Sequence, residues 1–155
     1  MVKLLPNKFF VFILCFAFFI PTNFAAEFYW VGGAGTWATP ANWATSSGGT
    51  TFHANEPTAA DNVIFDANSF SGGLQVVTIG AAANCLDMDW TSATNSPTLA
   101  GSSTLNIYGS LTFIAAMVKT HSGAINFKSV TTGKLITTAG LALLNKITFN
   151  GNGGE

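Results

Sequence analysis

The chain has 155 residues, a formal net charge of −1, and only 8% charged against 48% hydrophobic residues. Ordinary globular domains carry about 25% charged residues. Six lysines, no arginine and seven acids exclude a basic nucleic-acid binder, because neutralising phosphates needs clustered cations. They also exclude a charged coiled coil and a highly charged disordered tail.

Met1 to Lys8 carries two lysines and no acid, and Phe9 to Ile20 is an unbroken apolar run of twelve residues. Pro21 breaks this run ahead of the Ala25-Ala26 pair. Positive start, short apolar core and small residues predict a secretory signal peptide over residues 1–26. A spanning helix needs about 20 apolar residues. The run is too short for one, so no membrane span is expected after cleavage. Removal takes half of the fourteen phenylalanines and Cys15, and leaves Cys85 as the single cysteine. An exported chain with one cysteine is not a disulfide scaffold, and Cys85 has no His-Asp pattern around it to make it a nucleophile.

Residues 27–73 are rich in Trp, Gly, Ala and Thr, with turn residues such as Gly32-Gly33 and Ser47-Gly48-Gly49. Within them Val63-Ile64-Phe65 reads as a short buried strand after the loop Glu56 to Asn62. From Leu74 onward, short alternating runs of β-branched and apolar residues are separated by Gly, Ser, Thr and Asn. No amphipathic helical pattern of useful length follows the signal segment. The pattern predicts an all-β chain.

A repeat refines this. Leu86-x-Met88, Leu105-x-Ile107, Ile125-x-Phe127 and Ile147-x-Phe149 are apolar pairs that recur after 19, 20 and 22 residues. Two residues apart means one face of a strand, and a return near every 20 residues means a stacked coil. The expected fold is a right-handed parallel β-helix, a β-solenoid of about 20 residues per coil, over residues 74–155. Leu99, Leu111-x-Phe113 and Leu135 would supply a second sheet. The outward residues would form ladders: Asp87, Asn106, Asn126 and Thr148 in one, and Asp89, Tyr108, Lys128 and Asn150 in the other. An antiparallel β-sandwich is the alternative architecture, but it leaves the repeat unexplained.

Trp30, Trp37 and Trp43 lie within fourteen residues, beside Tyr29, Asn42 and several glycines. Exposed, they would form a platform for stacking on sugar rings. Buried, they would be the N-terminal cap that a solenoid needs over the open end of its core. The cap is the favoured expectation. Gly32-Gly33-Ala34-Gly35 opens no helix and is turn chemistry, and Thr131-Thr132-Gly133-Lys134 lacks the leading glycine of a phosphate loop. Asp61 and Asp66 are calcium-type oxygens without a calcium-loop spacing. Asp87 and Asp89 share a face, as an acid–base pair would, but a solvated strand gives the same pattern. His53 and His121 have no ligand-spaced partners. No catalytic, cofactor-binding or metal residues are assigned.

Several motifs together resemble a known group. They are Tyr29-Trp30-Val31-Gly32-Gly33-x-Gly35-x-Trp37, Asn42-Trp43-Ala44, Pro57 to Asp66, Cys85 to Thr91, Leu105 to Thr112 and Ile147 to Gly151. As a set they are similar to the start of large secreted, repetitive surface proteins of Bacteroidota-type bacteria. The resemblance implies an adhesin-like protein at the cell surface, held there by C-terminal regions that often include a type IX secretion sorting domain. It implies no catalytic residue and no cofactor. Those proteins run on through further coils, whereas this sequence stops at Glu155, so a fragment truncated at its C-terminus is expected. The expected function is a non-catalytic structural or adhesion module. Its alternatives are a carbohydrate-binding module using Trp30, Trp37 and Trp43, or a polysaccharide-active β-helix. The expected partner is an extracellular glycan or cell-surface polymer.

Overall fold

The computed structural model describes residues 24–152. The expected signal peptide lies outside the described residues except for its last three positions. Among the described residues the only helical element is a 3-10 turn, Pro40–Asn42. No helix there is long and apolar enough to cross a membrane.

The chain is a β-solenoid of about 4 turns, with about 22 residues per turn. Short strands form three sheets, one on each face of the coil. Face A is built from β1 (Glu27–Trp30), β4 (Asn62–Ile64), β7 (Met88–Asp89), β10 (Leu111–Thr112) and β13 (Ile136–Thr137). Face B stacks β2 (Gly35–Thr36), β5 (Val76–Ile79), β8 (Thr98–Gly101) and β11 (Val118–Lys119). Face C stacks β6 (Ala83–Cys85), β9 (Leu105–Ile107), β12 (Ile125–Phe127) and β14 (Ile147–Phe149). All these pairings are parallel. The exception is β3 (Trp43–Ala44), which pairs antiparallel with β1 at the N-terminal edge of face A.

Alternation within each strand turns every second side chain inward, and stacking aligns these into rows. Face A contributes Phe28, Val63, Met88, Leu111 and Ile136. Beside them runs an aromatic row of Trp30, Phe65, Trp90 and Phe113, all buried. Phe65 and Trp90 stack face to face with ring centres 3.6 Å apart. Face C contributes Ala83, Leu105, Ile125 and Ile147, and then Cys85, Ile107, Phe127 and Phe149. One coil cannot bury such a face alone, so the core exists only through stacking. Each fully buried Leu, Ile or Phe stabilises by about 1.5–3 kcal/mol.

The repeat read from sequence is in register for three of its four pairs. Leu105, Ile125 and Ile147 stack as expected, but the rung before them is Ala83-x-Cys85 and not Leu86-x-Met88. Met88 belongs to face A, where it pairs with Val63 and Leu111. Small residues carry the first rung, and Leu86 lies in the corner between faces C and A. The second sheet also divides: Leu99 lies on face B and Leu111 on face A, while Leu135 is exposed. The Trp-rich region is not separate from the coils either. It supplies β1, β2 and β4, and the cap is an excursion between β2 and β4.

Tight corners fix the coil size. At Gly101, φ is +112° and a Cβ would lie 2.2 Å from the Ile79 carbonyl oxygen, so the face B to face C corner has no room for a side chain. At Gly109 a Cβ would lie 1.9 Å from Asp87 Oδ1. Asp87 needs that space, because its carboxylate accepts the Ser110 N–H at 2.6 Å and ties two coils together.

Candidate functional site

The N-terminal end is closed by aromatic rings. Trp30, Trp37 and Trp43 are 0%, 1% and 0% exposed. Trp43 sits edge-on to Trp30 and Trp37, with ring centres 5.0 and 4.8 Å away. Trp43 Nε1–H donates to the Trp37 carbonyl at 2.7 Å, and Trp30 Nε1–H to the Gly33 carbonyl at 2.9 Å. Pro40 starts the 3-10 turn that swings Trp43 back over the core, and Asn42 Nδ2–H donates to the Thr36 carbonyl to hold it there. A sugar ring needs an open aromatic face, and these three offer none. Their placement is that of the cap, the expectation favoured from the sequence, rather than of the alternative sugar platform.

Outside the cap, His53 stacks on Phe28 at 3.6 Å and its Nε2 lies 3.0 Å from the Glu27 carbonyl. Tyr29 donates its hydroxyl to Glu27 at 2.6 Å. That bond, with desolvation, pushes the Tyr29 hydroxyl up to about 12.

The carboxylates singled out in the sequence are engaged in turns. Asp61 accepts from the N–H and hydroxyl of Thr58, Asp66 from Asn68 and Ser69, and Asp89 from the N–H and hydroxyl of Thr91. Asp87 caps its corner and pairs with Lys134 at 3.5 Å. Asp87 and Asp89 are thus held by different neighbours and do not converge on one proton. Among the described residues no three His, Cys, Asp or Glu side chains gather to hold a metal ion. Cys85 is buried on the core side of face C, and burial pushes its thiol well above the usual range. A thiol held protonated is a poor nucleophile.

The outer side of face C carries an amide ladder. Asn126 Nδ2–H donates to Asn106 Oδ1 at 2.9 Å, and Asn106 Nδ2–H donates to Asn84 Oδ1 at 3.1 Å. The expected ladder therefore starts at Asn84, and Asp87 is outside it. In the neighbouring column the Lys128 ammonium lies 5.5 Å over the Tyr108 ring, as that ladder's order implied. Asp89 is outside this column too, because it aligns with Ile64 and Thr112 on face A.

The C-terminal end differs in chemistry. A groove of about 350 Å³ runs beside β13 and β14, lined by Phe127, Phe149, Ile136, Gly109, Ser129 and Lys134. On face B the inward row Gly35, Val77, Leu99 ends at Lys119. Two residues on, His121 is buried. Its Nε2–H donates to the Ser103 carbonyl at 2.8 Å, which leaves Nδ1 without a proton, 3.3 Å from Asn145 Nδ2. Lys119 donates to Asn145 Oδ1 and to the His121 carbonyl. Burial lowers the pKa of Lys119. Burial also lowers that of His121, with a smaller contribution from the Lys119 charge, against a raising effect of the Ser103 hydrogen bond. A second recess, of about 240 Å³, opens beside this cluster between Thr120, Ser122, Ala142 and Leu144.

Sequence reasoning treated His121 as isolated. Asn145 stands 24 residues from His121 and 26 from Lys119, about one coil away in each case. Both separations exceed the coil period of about 22 residues, so a search at that period would not have paired them. Protein-family models, curated proteins and solved structures give no match to this chain.

Proposed function

We propose that the chain is a non-catalytic structural module of a secreted, surface-displayed protein, forming the capped end of a rigid β-solenoid. The resemblance to repetitive surface proteins of Bacteroidota-type bacteria belongs to this reading. The partner it implies is an extracellular glycan or cell-surface polymer, met by the outer faces of the coils rather than by the cap tryptophans. The observation that carries the reading is the amide ladder. Asn84, Asn106 and Asn126 bond to one another along the coil axis, so this surface is organised as a continuous column rather than a cleft. Uncharged columns stack without like-charge repulsion, which accounts for the scarcity of charged residues.

Two measurements on the purified full chain test this. Incubation with a panel of extracellular polysaccharides is expected to yield no new reducing ends. Retention on immobilised polymers is expected to be unchanged by Trp37→Phe, which keeps the cap filled. Depolymerisation abolished by Asp87→Asn with Asp89→Asn would overturn the reading in favour of an enzyme.

A further inference from the structure

We propose that Lys119 and Asn145 join through an intramolecular isopeptide bond that staples the last coil to the coil beneath it. The starting observation is a misplaced charge. Lys119 occupies the register position of Val77 and Leu99, whose side chains are fully buried. Among the described residues the only ion pair is Lys134 with Asp87, so no carboxylate there pairs with Lys119. Lys119 is only partly buried, but its ammonium faces amide and carbonyl oxygens and no carboxylate, and conversion to a neutral amide removes that unpaired charge.

Its neighbours are arranged for such a conversion. Nζ lies within hydrogen-bond distance of Asn145 Oδ1 and is held by the His121 carbonyl at 3.1 Å. The carboxamide is fixed from its other side, where Nδ2–H groups donate to the Gly123 carbonyl at 2.6 Å and the His121 carbonyl at 3.0 Å. His121 Nδ1 carries no proton and stands 3.3 Å from Nδ2, the nitrogen that would leave. Partial desolvation lowers the pKa of the amine, which raises the share of the nucleophilic form above that of a solvated lysine. Holding amine and amide together removes the entropic barrier that makes this reaction slow between free side chains.

The step balances without any co-reactant. Rotation of the Lys119 side chain carries unprotonated Nζ over Asn145 Cγ, and the Nζ–Cγ bond forms. The proton shed by Nζ passes to Nδ2 by way of His121 Nδ1, the Cγ–Nδ2 bond breaks, and ammonia departs through the adjoining recess. Nothing is oxidised or reduced. The bond would secure the segment between β13 and β14, which adds no strand to face B and is tied to that face through Asn145.

Tandem mass spectrometry of tryptic digests of the purified full chain decides this. The expected product is a branched peptide in which the segment ending at Lys128, uncut at Lys119, is joined to residues 135–146 with loss of one ammonia. The branch must be sequenced, because loss of one ammonia from the intact chain alone could also come from Asn150-Gly151 closing to a cyclic imide. Separate, unmodified peptides containing Lys119 and Asn145 would overturn the proposal, and this readout needs no variant to fold. Lys119→Met and Asn145→Ala are each expected to abolish the branch. His121→Phe is expected to lower its yield at least tenfold, and an undiminished yield would overturn the role of His121 as proton carrier.

Discussion

At the N-terminal end, Trp43 lies edge-on between two other buried tryptophans, while at the C-terminal end Phe149 and Leu144 are 72% and 91% exposed. Both ends belong to one stack with the same inward rows, so local strand propensity does not separate them. What separates them is what lies over the last row. The β2 to β4 excursion brings two indoles, Trp37 and Trp43, and an antiparallel strand across Trp30 of the first coil. Among the described residues the last coil has strands only on faces A and C, and meets face B through a polar cluster. A solenoid coil is therefore as stable as the neighbours on its two sides, and the end coils reveal this most clearly.

The largest expected effect comes from opening the closed end. Trp43→Ala removes a fully buried ring and its hydrogen bond, and should cost about 3–5 kcal/mol in urea unfolding. A cost below about 1 kcal/mol would mean that the cap does not seal the core. A matched pair of substitutions then compares interior with end. Ile125 and Ile147 are stacked partners on face C, but only Ile125 is fully buried. Ile125→Ala should cost about 2–5 kcal/mol, and Ile147→Ala less than about half of that. Equal costs would show that the last coil is covered in solution.

Smaller effects probe the columns. Asn106→Ala leaves Asn126 without its acceptor and Asn84 without its donor, at a cost of about 1–2 kcal/mol, whereas Asn84→Ala breaks one bond and should cost about half as much. Stability should also fall with acidification. His121 has a lowered pKa when folded, so the unfolded chain binds more protons once pH drops below the ordinary histidine value of 6.5. Stability is full above that value and declines as pH falls toward the folded-state pKa. His121→Phe should flatten this part of the pH profile in thermal unfolding. Least costly is Phe149→Lys at the open end, which should change stability by no more than about 0.5 kcal/mol. Its expected mark is reduced binding of a hydrophobic dye.

Much of this was legible in the sequence. The two-residue pairs and their return near every 20 residues identified the stacked coils, because inward facing and coil length are both periodic properties. The first rung was misassigned because Ala83 and Cys85 are small and Leu86 and Met88 are larger, so hydrophobicity pointed to the wrong pair. The aromatic row Trp30, Phe65, Trp90 and Phe113 escaped notice because the cap excursion stretches its first interval. Each member nonetheless follows an apolar residue by two positions, as in Val63-x-Phe65 and Met88-x-Trp90. The Lys119, His121 and Asn145 cluster was missed for a different reason. Its members look unrelated until one coil is laid upon the next.

The asparagine ladder has a direction. Each amide gives its N–H to the oxygen of the coil before it, from Asn126 to Asn106 to Asn84. The side-chain dipoles therefore add along the axis rather than cancel, and each bond polarises the next. One end of the column presents an unused amide donor at Asn84 and the other an unused acceptor at Asn126. Thr148 stands above Asn126 in register without joining the column, whose direction is set by these three amides alone. The column has a grain, and reversing the Asn106 amide within it would cost the hydrogen bonds on both of its sides.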